Sequence, residues 1–192
     1  MLECTGIKDG KYIITDLNGD GEISDDDRTY VGDAQPDLTF GWQNNFTWKN
    51  WDFSFFFRGT IGNKVLNNPR AAYANNTYLI GTNALDDELT YTMKESSRVC
   101  SYYLENGSFI RLDNLALGYT FDTKKINWLD KARLYFAAQN LFVITGYKGL
   151  DPEVELFRGE SSDTDAGLSP GIEPRQFFPK ARTFTLGVNL TF

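Results

Sequence analysis

Residues 38–61 read Leu38-Thr39-Phe40-Gly41-Trp42-Gln43-Asn44-Asn45-Phe46-Thr47-Trp48, then Lys49-Asn50, then Trp51-Asp52-Phe53-Ser54-Phe55-Phe56-Phe57-Arg58-Gly59-Thr60-Ile61. In the first half the even positions are Leu, Phe, Trp, Asn, Phe and Trp, and the odd ones are Thr, Gly, Gln, Asn and Thr. Side chains alternate sides along an extended chain, so this period of two gathers the greasy residues on one face of a strand. Beyond Lys49-Asn50 the alternation resumes, with Trp51, Phe53, Phe55 and Phe57 opposed to Asp52, Ser54, Phe56 and Arg58. Two such runs across a two-residue link predict a tight hairpin whose apolar rows lie side by side.

Three more stretches carry the same rhythm. From Ser108 to Phe121, Leu115, Leu117, Tyr119 and Phe121 alternate with Asn114, Ala116, Gly118 and Thr120. Upstream, Ile110 and Leu112 fall on the opposite parity, a slip that a bulge near Asp113 accounts for. From Ala132 to Ile144 the alternation is looser, with Leu134, Phe136 and Ala138 against Arg133, Tyr135 and Gln139. At the end, 181–192, Phe184, Leu186, Val188, Leu190 and Phe192 alternate with Thr183, Thr185, Gly187, Asn189 and Thr191 without exception. Short links at 49–50 and about 122–131 alternate with long ones at 62–107 and 145–180, which are rich in Asn, Asp, Gly and Pro. The expectation is an all-β chain of antiparallel up-and-down strands: a hairpin at 38–61, a second at 108–144 and a terminal strand.

Composition narrows the function classes. A net charge of -7 without clustered Lys and Arg argues against a nucleic-acid partner, because phosphates are held by such clusters. Histidine is absent, which removes imidazole as a general base or zinc ligand and leaves oxygen-ligand metal chemistry. The two cysteines, Cys4 and Cys100, lack the spacing of a metal or redox motif and read as isolated small residues. No apolar run approaches the roughly 20 residues of a spanning helix, and Met1-Leu2-Glu3-Cys4 lacks the basic start and apolar stretch of a signal peptide. Any meeting with a membrane is by strands.

Ahead of the first strand stands Asp16-Leu17-Asn18-Gly19-Asp20-Gly21-Glu22-Ile23-Ser24-Asp25-Asp26-Asp27. Its spacing is that of a calcium loop: Asp16 at place 1, Asn18 at 3, Asp20 at 5, Glu22 at 7 through its carbonyl, Ser24 at 9 through water and Asp27 at 12. Gly21 permits the sharp turn, and Ile23 is placed to anchor the loop on apolar surface. Asp27 stands where Glu is usual, so its shorter reach predicts modest affinity. An ion-free acidic turn is the competing reading, since Asp and Asn also bond their own backbone. The flanks exclude a helix-loop-helix: Gly10–Thr15 is strand-like, and Gly32 and Pro36 break the segment beyond.

Two architectures fit the alternation. A soluble, calcium-stabilised β-sandwich for binding or adhesion would bury one face against a second sheet. An outer-membrane barrel would turn the apolar face to lipid and the polar face to the lumen, with aromatic girdles at the interfaces. The polar faces here carry Thr, Asn, Gln and Gly rather than Lys and Glu, and Trp48 and Trp51 flank the short turn, which favours the barrel. Five strands are fewer than the roughly eight of the smallest bacterial barrels, so the chain reads as the closing segment of a larger one.

Five blocks then carry a resemblance: DLNGDGEISDDDRTYVGD (16–33), TFGWQNNFTWKNWDFSFFFRGTIGN (39–63), ENGSFIRLDNLALGYTF (105–121), AQNLFVITGYKGLDPEV (138–154) and PKARTFTLGVNLTF (179–192). In this order they resemble the carboxy-terminal end of the SusC/RagA-type TonB-linked outer-membrane receptors. The resemblance implies the carboxy-terminal part of a TonB-dependent transmembrane β-barrel in a bacterial outer membrane. It implies import of oligosaccharides or peptides with a SusD-like surface lipoprotein, powered through TonB by parts absent from these residues. No enzymatic step is implied. The barrel rule of short inner turns and long outer loops puts Lys49-Asn50 and Phe192 on the periplasmic side. It puts 62–107, 145–180 and the 16–27 loop outside. The aromatic end Phe192 resembles the signal read by the outer-membrane assembly machinery. Tyr73, Tyr78, Tyr102 and Tyr103 in the outer loop are either a sugar-stacking or lipoprotein-contacting set or packing within the loop. The run Asp86, Asp87, Glu88 has no spacing that separates an acid from a nucleophile, so a glycosidase reading is poor.

Overall fold

In a computed structural model the described residues are 1–75, 81, 83–124, 126, 128–154, 170–175 and 178–192. They fall into two compact units, one of 38–61, 109–145 and 179–192, the other of 1–37, 62–108 and 146–178.

The first unit is a five-stranded antiparallel sheet. In chain order its strands are β3 (Leu38–Trp48), β4 (Trp51–Ile61), β7 (Phe109–Phe121), β8 (Lys131–Thr145) and β9 (Thr183–Thr191), and each pairs with the next. The period-two reading held in all five, with boundaries shifted by one or two residues. Lys49 takes a left-handed φ of 54° to close the two-residue turn. Register aligns the apolar rows: Phe46 opposes Phe53, Phe53 opposes Leu117, Leu117 opposes Phe136, and Phe136 opposes Leu186. One apolar face therefore runs across the whole sheet. Aromatic pairs tie neighbouring strands along it, among them Trp51 with Tyr119 at 4.8 Å and Phe136 with Phe184 at 6.2 Å between ring centroids. Each such cross-strand pair is worth about 0.2–1 kcal/mol.

The slip in β7 is a bulge. Leu112 and Asn114 face consecutive β4 residues, Phe57 and Phe56, so Asp113 is the extra residue. It restores Ile110 and Leu112 to the apolar face. On the β8 side the same irregularity passes Asn140, whose φ is 53°.

The sheet is a single layer, and β3 and β9 each have one paired neighbour among the described residues. Its apolar face has little to pack on: Trp48 is 67% exposed and Leu186 74%. The remaining sheets are two-stranded ribbons, so the described residues lack the two multi-stranded sheets of the soluble sandwich alternative.

The second unit contains structure that alternation did not foretell. The ribbon β1 (Cys4–Lys8) with β2 (Lys11–Ile14) precedes the acidic loop, and β5 (Lys64–Leu66) pairs with β6 (Leu104–Asn106). Between them lie two short helices, α1 (Asn68–Tyr73) and α2 (Glu88–Thr92). Asn67 and Asp87 cap them by accepting from the Arg70 and Leu89 amides, which satisfies donors a helix start leaves unpaired. Leu66, Ala71, Ala74, Leu89, Met93 and Tyr103 form an apolar cluster that also takes in Cys4 and Cys100. The two cysteines, read from sequence as isolated, are thus neighbours in one core.

Candidate functional site

The face of the sheet opposite the aromatic one carries the polar chemistry. Asp52 on β4 and Arg133 on β8 lie on strands separated by β7, and they meet above it. Arg133 Nε donates to Asp52 Oδ1 at 2.9 Å and Nη2 donates to Oδ2 at 2.5 Å. The β7 residue beneath is Gly118, paired with Asp52 on one side and Tyr135 on the other. A Cβ at Gly118 would collide with both the guanidinium and the carboxylate. The Arg133 guanidinium carbon also sits 5.2 Å from the centre of the Tyr135 ring.

The Asp113 bulge organises a second polar group. Arg58 reaches the Asp113 carboxylate at 3.3 Å, the buried Arg111 donates to Asn140 Oδ1, and Asn140 Nδ2 donates to the Lys180 carbonyl at 2.6 Å. Asp113, Asn114, Gln139, Asn140, Lys180 and Ala181 line a concavity of about 300 Å³. Its lining offers donors and acceptors rather than a nucleophile beside a base. Such a surface suits reversible hydrogen bonding to a polar solute.

In the loop unit the acidic segment forms a tight, self-bonded turn. Asp16 accepts from the Gly19 amide at 2.7 Å and the Gly21 amide at 2.9 Å. Asn18 accepts from the Asp20 amide at 2.9 Å, and Asp20 accepts from the Glu22 amide at 2.8 Å. Asp27, wholly buried, receives the Ser24 and Leu17 amides, each at 2.8 Å. Those amides, Ser24 first, hold its carboxyl below the usual range. Gly21 has the left-handed φ, 86°, that the sharp turn requires. The Glu22 side chain is not brought into this ring, and Ile23, expected to anchor the loop, is 39% exposed. Among the described residues no three His, Cys, Asp or Glu side chains are grouped to hold a metal. The donor chemistry nevertheless suits a hard cation, because a carboxylate oxygen that accepts one amide keeps a second lone pair.

Two of the tyrosines in the 62–107 connection pack within it. Tyr103 is fully buried, its hydroxyl 2.8 Å from that of Tyr12, and Tyr102 stacks edge-on against it beneath Arg70. Tyr73 closes α1, and Tyr78 lies outside the described residues. Asp87, besides capping α2, binds Arg70 Nε at 2.8 Å, which commits both its oxygens structurally. Sequence reasoning missed a further latch in this unit. Tyr147 donates to Glu173 Oε2 at 2.5 Å, and the Leu150 amide donates to Oε1 at 3.0 Å. Burial pushes the Glu173 carboxyl above its ordinary range. No local pattern marks this pair, since its members come from separate stretches of the 145–180 connection.

No family model matches the chain. It is 36% identical to TonB-dependent receptor P3 of Formosa agariphila, an alignment covering 95% of this chain and 19% of the relative. It is 30% identical to TonB-dependent receptor SusC of Bacteroides thetaiotaomicron, covering 94% and 17%. The RagAB peptide importer, solved in a closed-closed and an open-open state, superposes on all of this chain and 22% of its own, with TM-scores of 0.75 and 0.76 at 25% identity. The chain belongs to the SusC/RagA-type TonB-dependent receptors. It spans about a fifth of the length of the receptors it matches. As a receptor segment it resides in the outer membrane, and its sheet is part of a barrel wall, with the aromatic face toward lipid. The Asp52–Arg133 pair and the Asp113 concavity are then on the receptor's lumen side.

Proposed function

We propose that this receptor segment is the carboxy-terminal part of the wall of an importer that carries an oligosaccharide or a peptide across a bacterial outer membrane. Uptake is TonB-dependent, through receptor parts outside these residues, and a SusD-like surface lipoprotein delivers the substrate. The observation that carries the reading is the two-faced sheet: five strands share one aromatic face, while the other offers Asp52, Arg133, Asn114 and Gln139. Oligosaccharides and peptides are both dense in hydrogen-bonding groups, which a polar wall can hold and release. The similarity to a protein described as a peptide importer supports the peptide arm. The short turns lie at the periplasmic end and the long connections outside, and the 16–27 loop is an external element that calcium fixes through Asp16, Asn18, Asp20, the Glu22 carbonyl and Asp27. No bond-breaking step is assigned.

The test is uptake of labelled oligosaccharide and peptide mixtures by cells with the receptor gene intact, deleted, or intact in a TonB-inactive background. Loss of one substrate class in both altered strains is expected. Unchanged uptake of both classes after deletion would refute import. A chain that stays monomeric in detergent-free buffer would favour the soluble binding module instead.

A further inference from the structure

Cys4 opens β1, and Cys100 immediately precedes the 3-10 turn Ser101–Tyr103. Both are buried in the same apolar cluster, although nearly a hundred residues separate them in the chain. The backbone laces their segments together on either side of the pair. The Ser101 amide donates to the Leu2 carbonyl at 3.0 Å, the Cys4 amide donates to Ser101 Oγ at 2.8 Å, and that hydroxyl donates back to the Cys4 carbonyl at 3.4 Å. So held, the two cysteines pack within one buried cluster. The Cys4 thiol itself donates to the Gly6 carbonyl at 3.2 Å. These are the chain's two cysteines, which leaves neither a competing partner within it.

We propose that Cys4 and Cys100 are joined by a disulfide in the outer membrane, stapling the β1–β2 ribbon to the 62–107 connection. The inference rests on the outer-membrane location and not on the import reading. Every route to that membrane crosses the periplasm, where disulfides form and persist. The loop such a bond would close is long, the case in which a cross-link removes most freedom from the unfolded chain.

The chemistry balances with a thiol–disulfide oxidoreductase of the periplasm as oxidant. Burial pushes the folded Cys100 thiol up to about 12, so exchange belongs to the stage before the cluster closes. Cys4 loses its proton and attacks the donor disulfide, forming a mixed disulfide and releasing one donor thiol. The Cys100 sulfur then attacks the Cys4 sulfur and displaces the second donor thiol, its own proton passing to water. Two electrons leave the cysteine pair, and the donor is reduced to a dithiol. Once the cluster forms, the same burial shields the bond from reductants.

The test uses the full-length receptor in its native membrane. Cells are quenched with a thiol alkylator, the outer membrane is isolated, and the receptor is digested without reduction for mass spectrometry. The expected result is one peptide species linking Cys4 to Cys100, separated only by reductant. Recovery of both peptides as alkylated thiols would overturn the proposal, and so would either cysteine bridged to a different one.

Discussion

Asp52 and Arg133 clasp each other across an intervening strand, and they can do so because the residue beneath them, Gly118, has no side chain. Gly118→Ala should force the pair apart. A doubly hydrogen-bonded ion pair is partly screened at an open face, so the cost should be about 1 kcal/mol. The measurement is the temperature at which the full-length receptor in detergent loses its folded gel mobility. Arg133→Gln should lower it similarly, and the double variant should cost no more than either single one. Strict additivity would mean the glycine matters for another reason.

The lipid face predicts a sharp asymmetry between neighbouring positions. Phe55 lies mid-strand on the aromatic face, so Phe55→Arg should cost about 2–4 kcal/mol and block insertion into liposomes. Asn45, on the opposite face and exposed, should accept Asn45→Arg with little loss. Equal tolerance at both sites would reverse the assignment of faces.

In the acidic loop, Asp27→Ala removes the acceptor for two amides and one candidate calcium ligand. The expected outcome is faster proteolysis within 16–27, with no further acceleration by a chelator, whereas the unaltered receptor should be protected by calcium. Identical cleavage with and without calcium in the unaltered receptor would discard the ion while leaving the turn intact.

Asp27 and Glu173 should respond to pH in opposite senses. The Asp27 carboxyl is depressed by its amide partners, so its contribution is present above the ordinary carboxyl range and fades as pH falls through its lowered value. Glu173 is raised by burial, so its contribution is present below the ordinary range and fades as pH rises through its raised value. Hydrogen exchange across pH should therefore loosen 16–27 as pH falls below the ordinary carboxyl range and the Tyr147–Leu150 segment as pH rises above it. Glu173→Gln should flatten the second response, and an unchanged profile in that variant would assign it to another group.

The sheet was legible because its signal is local and repeated. Every strand carries its own alternation, and even the slip at Asp113 is visible as Leu112 and Leu115 changing parity. The helices were not, because α1 and α2 span one to two turns, and what holds them is a cap plus a distant partner. The Arg70–Asp87 contact, for example, bridges the two. Asn67-Asn68-Pro69 is a helix-start signal that could have been read. The Asp52–Arg133 pair left only a faint trace: opposite charges on the polar rows of two hairpins, with a glycine between them once register is known. The calcium spacing was the plainest motif in the chain, yet spacing alone does not choose between ion and amide as the partner of each oxygen.

The bulge at Asp113 makes β7 behave like a reading frame with one extra letter. Straightening the bulge with Asp113 kept in the ladder would bring Arg111 to the oily side and turn Ile110 and Leu112 toward the channel, without altering any amino acid. Excising Asp113 would instead leave a regular strand with both faces unchanged, because Leu112, Asn114 and Leu115 then alternate in step with Phe57, Phe56 and Phe55. A receptor lineage should therefore carry either two residues and a bulge between Leu112 and Leu115, or one residue and a regular strand, and not two residues in an unbroken ladder.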